Sequence, residues 1–251
     1  MAKAELILRP SMSKRLIARG VKRLLENMGA LDKGIVYVAR GSTCAYVVEE
    51  LIGRKIEKER YLAGFIGEGM LNVLPREKRL PPFILINGKL TEKDPEKVAK
   101  KMTKGDVFIK GGNAIDTEGN VGVLVADREG GTVGRYIGIM LSRGVSWISP
   151  ISIGKLIPDV VEASRFAKID AFDYSTGKSS GLFPLVNVKA ITEIDAFKIL
   201  FGLESMLIAK GGLWEDEGSI VIGIEGKEKK VEEALKFIVH IKGEELPKPK
   251  L

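Results

Sequence analysis

The chain contains no glutamine, one cysteine and one histidine among its 251 residues. The single cysteine, Cys44, excludes an internal disulfide, and with only His240 beside it a cysteine–histidine zinc site is not expected. No apolar run approaches the roughly 18–20 residues that cross a bilayer. The first residues lack the charged start and apolar stretch of a signal peptide. We therefore expect a cytoplasmic protein without membrane contact.

Aromatic residues are scarce at 6%, whereas charged residues make up 29% and apolar residues 45% of the chain. That balance is typical of a globular chain that buries a core. The lack of glutamine, together with abundant lysine and glutamate, favours a thermophilic source. Because aromatic residues are few and none alternate with basic ones in a recognisable motif, nucleic acid is disfavoured as a partner.

The net charge of +7 is concentrated near the start of the chain. Residues 1–25 carry seven bases against one acid, Glu5, which gives +6 for this segment alone. These bases, the basic stripe, are Lys3, Arg9, Lys14, Arg15, Arg19, Lys22 and Arg23. Most of them lie on a helix predicted over residues 11–27, where apolar residues recur at helical spacing. The basic stripe is either a solvated helix face or a surface for an acidic partner or RNA.

Apolar strand-like runs alternate with helical segments through most of the chain, which predicts an α/β fold. We expect a mostly parallel sheet with helices on both faces, in a ligand-binding domain of residues 1–189. Asp94 and Pro95 predict a helix start, with an N-cap acid followed by a proline. Residues 190–251 are expected to form a smaller α+β unit, separate or part of the same domain, with a final short strand at 238–241.

A buried strand, a tight turn and a helix follow one another over residues 35–51. The turn contains Arg40, Gly41, Ser42 and Thr43. Backbone N–H groups and two hydroxyls would point at one place there, and the helix dipole adds partial positive charge. Arg40 adds a fork of donors suited to phosphate or carboxylate. The alternative is an ordinary turn in which Ser42 or Thr43 only caps the helix.

Two segments carry a resemblance to a known superfamily. Residues 32–46, with their Gly-Ser-Thr turn, resemble the first phosphate loop of ribose-5-phosphate isomerase, glucosamine-6-phosphate deaminase and the CoA transferases. Residues 105–120 resemble that superfamily's next strand and turn, in the form found in isomerases related to translation initiation factor 2B. The resemblance implies that the first loop grips a phosphate and that acidic residues at the second turn transfer protons.

The second turn departs from the family pattern. It reads Gly111, Gly112, Asn113, so an amide stands where the family has a carboxylate, and an amide cannot act as a general base. Asp116 and Glu118 follow shortly after and are the candidate catalytic acids. If Asn113 replaces the catalytic carboxylate, we expect a binder or sensor that has lost turnover.

Residues 127–135 form a third candidate segment, between an apolar strand and a helical run. Its glycines allow close backbone approach to an anion. The alternative is a glycine-rich connection with charged residues on the surface. The predicted ligand-binding residues here are Gly130, Gly131, Thr132 and Arg135, and the candidate acids and bases are Asp127 and Glu129.

These patterns lead to one main functional hypothesis and one alternative. The main hypothesis is binding of a phosphorylated or otherwise anionic small metabolite, such as a sugar phosphate or CoA, with isomerase- or transferase-like turnover left open. The alternative is a regulatory module that binds an acidic partner or RNA through the basic stripe. No cofactor or metal is expected, and a homo-oligomer, with a dimer as the working assumption, is expected for such a fold.

Overall fold

The computed structural model describes residues 1–250. Helices and strands are interspersed along this part of the chain, as an α/β class requires. Its α-helices are α1 (Pro10–Asn27), α2 (Ser42–Ile52), α3 (Pro95–Ala99), α4 (Gly131–Ser142), α5 (Val160–Phe166), α6 (Glu193–Phe201) and α7 (Glu228–His240). Asp94 caps α3 by accepting a hydrogen bond from the Lys97 N–H, which confirms the predicted helix start.

The strands are short and grouped in four sheets. They are β1 (Ala2–Leu8), β2 (Ile35–Val38), β3 (Gly64–Gly67), β4 (Met70–Val73), β5 (Phe83–Ile86), β6 (Lys89–Leu90), β7 (Val107–Ile109), β8 (Ala114–Ile115), β9 (Val121–Val125), β10 (Ser146–Pro150), β11 (Gly181–Leu185), β12 (Lys189–Ile191), β13 (Glu204–Gly211) and β14 (Ser219–Gly226).

Six strands form the central sheet in the order β12-β10-β7-β2-β5-β6. β12, β10, β7 and β2 run parallel, whereas β5 and β6 extend the edge antiparallel. The sheet is therefore mixed, and the expectation of a mostly parallel sheet is not confirmed. β5 and β6 are antiparallel because a two-residue turn, Asn87 and Gly88, joins them. The φ angles of these residues, 50° and 73°, match a two-residue hairpin. Such a turn joins antiparallel strands.

Alternate residues of the central strands supply two different cores. Val36 and Val38 of β2 face α1 and α2, while Tyr37 faces the opposite side, because successive strand side chains point to opposite faces. On that opposite side Phe108 stacks on Tyr37 at 4.9 Å between ring centroids and lies 4.7 Å from Trp147. This aromatic row fixes β2, β7 and β10 side by side, so their carboxyl ends meet at one edge of the sheet.

A second sheet, β1-β14-β13, is antiparallel and joins the two ends of the chain. Its buried face packs with α6 and α7 around Phe197, Ile222 and Ala234. β1, from residues 2–8, thus completes the sheet of the expected C-terminal α+β unit. The division of the chain into two domains at residue 190 stays a prediction. The strand predicted at residues 238–241 is wrong, because α7 continues to His240 and ends in a 3₁₀ turn.

α1 connects the two sheets, since it packs against α2 on one side and against α6 on the other. The remaining sheets, β11-β9-β8 and β3-β4, are antiparallel and lie outside the central one. None of the helices within residues 1–250 is long and apolar enough to cross a membrane.

Candidate functional site

The segments that follow β2, β7 and β10 lie next to one another at the carboxyl edge of the central sheet. The Ala39 N–H donates to the Ile109 carbonyl at 2.8 Å, and the Lys110 N–H donates to the Ile148 carbonyl at 3.0 Å. The hydroxyl of Ser149 donates to the Lys110 carbonyl at 2.8 Å. These bonds continue the ladder beyond the strands. They bring residues 39–43, 110–113 and 151–155 together, in the place where open α/β sheets bind ligands.

The first turn of α2 is open toward this edge. Its N-cap residue is Gly41, and no side chain caps the helix. The alternative in which Ser42 or Thr43 serves as the cap is therefore wrong, since both residues already belong to the helix. The N–H groups of a first turn have no partner inside their own helix, so the start of α2 is suited to an anion.

Cys44 joins α2 to the segment after β7. Its Sγ accepts a 3.3 Å hydrogen bond from the Gly111 N–H, and the side chain is completely buried. Burial raises the pKa of the Cys44 thiol, although Lys110 and the Gly111 N–H act in the opposite direction. A neutral, inaccessible thiol is a structural acceptor and does not act as a nucleophile.

Two half-buried lysines lie beside Cys44: Lys110 after β7 and Lys155 in the 3₁₀ turn after β10. A third half-buried lysine, Lys14 of α1, lies close enough to Lys155 to repel it. We call these three lysines the lysine trio. The Lys155 ammonium donates to the Gly112 carbonyl at 2.8 Å, Lys110 to the Gly111 carbonyl at 3.1 Å, and Lys14 to the Pro10 carbonyl at 3.5 Å. Within residues 1–250 none of the three forms an ion pair with a carboxylate.

The lysine trio is electrostatically crowded. Burial, followed by repulsion from Lys110, lowers the pKa of Lys155 to about 8. Burial, followed by repulsion from Lys155, lowers the pKa of Lys14 to about 8. Burial also lowers the pKa of Lys110. The three ammonium groups hydrogen-bond to carbonyls, and Glu193 acts on two of them, so the cluster keeps a net positive charge that an anion would neutralise.

Glu193, the first residue of α6, is the nearby acid that acts on Lys14 and Lys155. It is fully buried, and its two oxygens accept from the Ser152 hydroxyl at 2.6 Å and from the Ile153 N–H at 2.8 Å. Glu193 thereby holds the 3₁₀ turn that carries Lys155. The capping box at the start of α6 is formed by Thr192 and Asp195, so Glu193 is not needed as a cap.

The two glycines of the second turn are required by their surroundings. A Cβ on Gly112 would lie 2.2 Å from the Val121 Cγ1 and 3.1 Å from the Gly122 carbonyl oxygen. A Cβ on Gly111 would lie 3.1 Å from the Pro150 carbonyl oxygen. The glycines therefore let the chain after β7 press against β9 and β10, and this close packing places their carbonyls under Lys110 and Lys155.

The predicted acids of the second turn have structural partners. Asp116 is buried, and its carboxylate accepts four hydrogen bonds, from the N–H groups of Glu118, Asn120 and Val160 and from the Asn120 side chain. Burial by itself would raise its pKa, but these bonds lower it on balance. Glu118 is exposed, and the Asn113 side chain accepts from the Leu124 N–H at 3.0 Å. The occupied oxygens of Asp116 suit turn formation better than proton transfer.

The third predicted segment is placed apart from the lysine trio. Gly130 and Gly131 adopt positive φ, 74° and 57°, and start α4, with Thr132 half-buried behind them. Asp127, Arg128 and Glu129 are exposed, and Arg128 pairs with Asp170 at 2.7 Å. Burial, followed by Tyr136, raises the pKa of Tyr37 above its usual range. The positive charges of Arg40 and Arg135 act in the opposite direction. The first and third loops thus approach Tyr37 from two directions.

The basic stripe is largely neutralised by acids of the same chain. Arg15 is buried and binds Glu49, Glu50 and Glu244, the last at 2.8 Å. Arg19 also pairs with Glu50, at 2.8 Å. Counting the pairs of Lys3, Arg9 and Arg23 as well, five of the seven bases have an acidic partner. Little free positive charge remains on this helix for RNA or an acidic protein.

No protein-family model, curated protein or solved structure matches the chain. The site is therefore argued from its own chemistry. Two open surface clefts lie elsewhere, one lined by Arg60 and Lys248 and the other by Ile86 and Lys97, and neither includes a member of the lysine trio. Within residues 1–250, no group of three or more His, Cys, Asp or Glu side chains is arranged to hold a metal ion.

Sequence reasoning missed the lysine trio. Lys110 had a usable signal, because a lysine directly after a buried strand stands at the edge where ligands bind. Lys14 is one member of a run of bases, and Lys155 lies in a short turn, so neither is distinguished by its local sequence. Their proximity depends on how α1 packs across β10, which no local pattern contains.

Proposed function

We propose that this protein binds a small anionic metabolite, of the phosphorylated class, at the lysine trio and the open first turn of α2. The observation that carries the proposal is the convergence of Lys14, Lys110 and Lys155, none of which forms an ion pair with a carboxylate in the described residues 1–250. Each ammonium has three donors and uses one on a backbone carbonyl. The remaining donors are free for phosphate or carboxylate oxygens.

An unneutralised lysine cluster lowers the stability of a free protein, because each charge is partly desolvated and repelled by its neighbours. Such an arrangement is therefore typical of a binding site whose ligand supplies the missing charge. The uncapped start of α2 adds N–H donors and the positive end of a helix dipole at the same edge. Both features favour an anion over a neutral or cationic ligand.

The likeness to the superfamily of ribose-5-phosphate isomerase and the CoA transferases is part of this proposal. It is supported by the strand–turn–helix over β2 and α2, whose turn is open as a phosphate loop requires. Isomerase- or transferase-like turnover is proposed with it. The hydrogen bonds of Asp116 argue that any proton transfer uses another group, and Glu193 is the buried acid beside the lysine trio.

Calorimetry with inorganic pyrophosphate, sugar phosphates and acyl-CoAs tests the proposal. We expect at least one phosphorylated ligand to bind, and Lys110→Met to weaken binding by about tenfold or more, since it removes one charged contact. The matched control is Lys33→Met, an exposed lysine without an ion pair in residues 1–250. Equal affinity of wild type and Lys110→Met, or no binding of any anion, would exclude this site.

RNA binding by the basic stripe is separated from metabolite binding by its salt dependence. Phosphate contacts along a nucleic acid lose affinity steeply between roughly 50 and 200 mM salt, by about a thousandfold or more for six contacts. We expect short RNA to bind weakly at all salt concentrations, because Arg15 and Arg19 are already ion-paired. Tight RNA binding that Arg19→Met abolishes and Lys110→Met preserves would favour the interaction module instead.

A further inference from the structure

Lys155 lies at the centre of the lysine trio. Its 3₁₀ turn, Ile153–Lys155, follows β10 and is held by Glu193 through Ser152 and the Ile153 N–H. The charged or titratable groups that act on it come from several elements around the turn: Lys110 after β7, Cys44 of α2, Glu193 of α6 and, through its own repulsion, Lys14 of α1. Lys210 of β13 donates to the neighbouring Gly154 carbonyl at 2.9 Å. Its position is thus fixed by contacts on several sides.

The surroundings of Lys155 make its amine reactive. Lys110 and Lys14 disfavour its charged form, and the ammonium hydrogen-bonds to a carbonyl. Glu193 favours the charged form but forms no ion pair with Lys155 within residues 1–250. The side chain of Lys155 is partly exposed. A lysine beside other cations, partly removed from water, is the arrangement that turns an ammonium into a nucleophile.

We propose that Lys155 forms an imine with a carbonyl group of the bound metabolite, which places the ligand among phosphorylated or carboxylated aldehydes and ketones. The inference rests on the proposed function, because the anionic group of the ligand would be held by Lys14, Lys110 and the start of α2. It extends that function by assigning the reacting group of the protein and the reacting group of the ligand.

The step is balanced without a further reactant. The neutral Nζ of Lys155 adds to the carbonyl carbon, a C–N bond forms, and the carbonyl π electrons move to oxygen, which takes a proton. The nitrogen then releases a proton, and the carbinolamine loses its hydroxyl as water to give the imine. One water molecule leaves and nothing is oxidised or reduced. Protons are exchanged with solvent at the partly exposed side chain.

The positively charged form of such an imine withdraws electrons from the adjacent carbon. The reactions that use this property remove a proton from that carbon or break a bond to it. The class of reaction expected here is therefore an isomerisation or a carbon–carbon cleavage of a phosphorylated or carboxylated carbonyl compound. Glu193 is the positioning residue for Lys155, since it holds the turn that carries it.

Borohydride trapping on the full chain tests the inference. The probe is pyridoxal 5′-phosphate, which joins an aldehyde to a phosphate, and pyridoxal without the phosphate is the matched control. After reduction, peptide mapping should place the adduct on Lys155 about tenfold or more faster than on exposed Lys33, because a lysine of lowered pKa has far more neutral amine near pH 7.5. Pyrophosphate should slow the phosphate probe more than pyridoxal.

A second set of carbonyl compounds tests which class of ligand forms the imine. Phosphorylated aldoses and ketoses and 2-oxo acids are incubated with the protein and reduced, and intact mass should increase by the ligand less one oxygen atom. Lys155→Arg, which keeps the charge and cannot form an imine, should lose the adduct. Labelling spread over surface lysines at similar rates, or an unchanged adduct in Lys155→Arg, would overturn the inference.

The failures of the two proposals are distinguishable. If wild type binds pyrophosphate by calorimetry and no carbonyl compound labels Lys155, the imine is wrong and the anion site stands. If Lys155 is labelled equally by pyridoxal and its phosphate while pyrophosphate does not bind, the reactive amine stands and the anion site is wrong. If neither is observed, both are wrong.

Discussion

The ammonium group of Lys155 donates a 2.8 Å hydrogen bond to the carbonyl oxygen of Gly112. This bond ties the turn after β10 to the segment after β7, across the carboxyl edge of the central sheet. It is also the reason that Lys155 points toward Lys110 and the start of α2. A single backbone carbonyl thus orients the amine at the centre of the proposed site, and the following predictions test the consequences.

Anion binding should weaken as the pH rises through about 8. The pKa values of Lys14 and Lys155 in the free protein are lowered to about 8. A bound anion raises them, so binding near pH 8 takes up protons, and affinity falls by up to about tenfold per pH unit for each lysine above that point. Calorimetry with sulfate from pH 7 to 9.5, in buffers of different ionisation enthalpy, measures both quantities. A flat affinity without proton uptake contradicts the assignment.

Lys155→Met should stabilise the free protein at pH 7. The pKa of Lys155 is lower in the folded protein than in the unfolded chain, so its protonated form destabilises the folded state. This cost disappears as the pH rises from about 8 toward 10, where the folded protein loses the proton. The gain is on the order of 1 kcal/mol after partial exposure is allowed for. Urea unfolding at pH 7 and pH 10 should show the gain at the lower pH only. Lys33→Met, at an exposed position, serves as the control.

Gly112→Ala should destabilise the protein and disturb the site. The new Cβ would lie 2.2 Å from the Val121 Cγ1 and 3.1 Å from a backbone oxygen, so β9 or the turn must move at a cost of about 1–3 kcal/mol. Gly138→Ala is the control, because Gly138 lies within α4 with open space around it. That change should raise helix stability by about 0.5–1 kcal/mol. Opposite signs in urea unfolding are expected, and equal effects would refute the steric argument.

The buried Arg15 network should dominate acid stability. Burial by itself would raise the pKa values of Glu49 and Glu244, but hydrogen bonds from Arg15 lower both on balance. A carboxyl group whose pKa is lower in the folded protein than in the unfolded chain stabilises the fold at any pH above its unfolded pKa. This contribution is lost as the pH falls through its folded pKa. Stability should therefore fall below about pH 4.3. Glu49→Gln should flatten that fall in unfolding experiments from pH 2 to 6.

Arg15→Met addresses the same network from its cationic side. It leaves two buried carboxylates without their main partner and should cost about 3–5 kcal/mol at pH 7. Arg23→Met is the control, because its pair with Glu26 is exposed and should be worth less than about 1 kcal/mol. If both changes have the same small effect, the network does not hold α1, α2 and the C-terminal residues together.

Local patterns in the sequence are sufficient for several elements and for part of the site. The N-cap at Asp94 and the strand–turn–helix at residues 35–51 are visible there, because caps, periodicity and turn residues act over a few positions. The glycines after β7 are also visible as a special turn. Their reason, the close approach of Val121 and the Pro150 carbonyl, is a tertiary contact.

The amino-acid order alone thus accounts for several of the helices and strands and for the turn before α2. The mixed sheet, the pairing of β1 with β14 and the meeting of Lys14, Lys110 and Lys155 arise only from the folded structure. The three lysines are separated by many tens of residues, and hydrophobic periodicity says which face of an element is buried but not which element covers it. Strand order and the packing of α1 across the sheet bring their charges together.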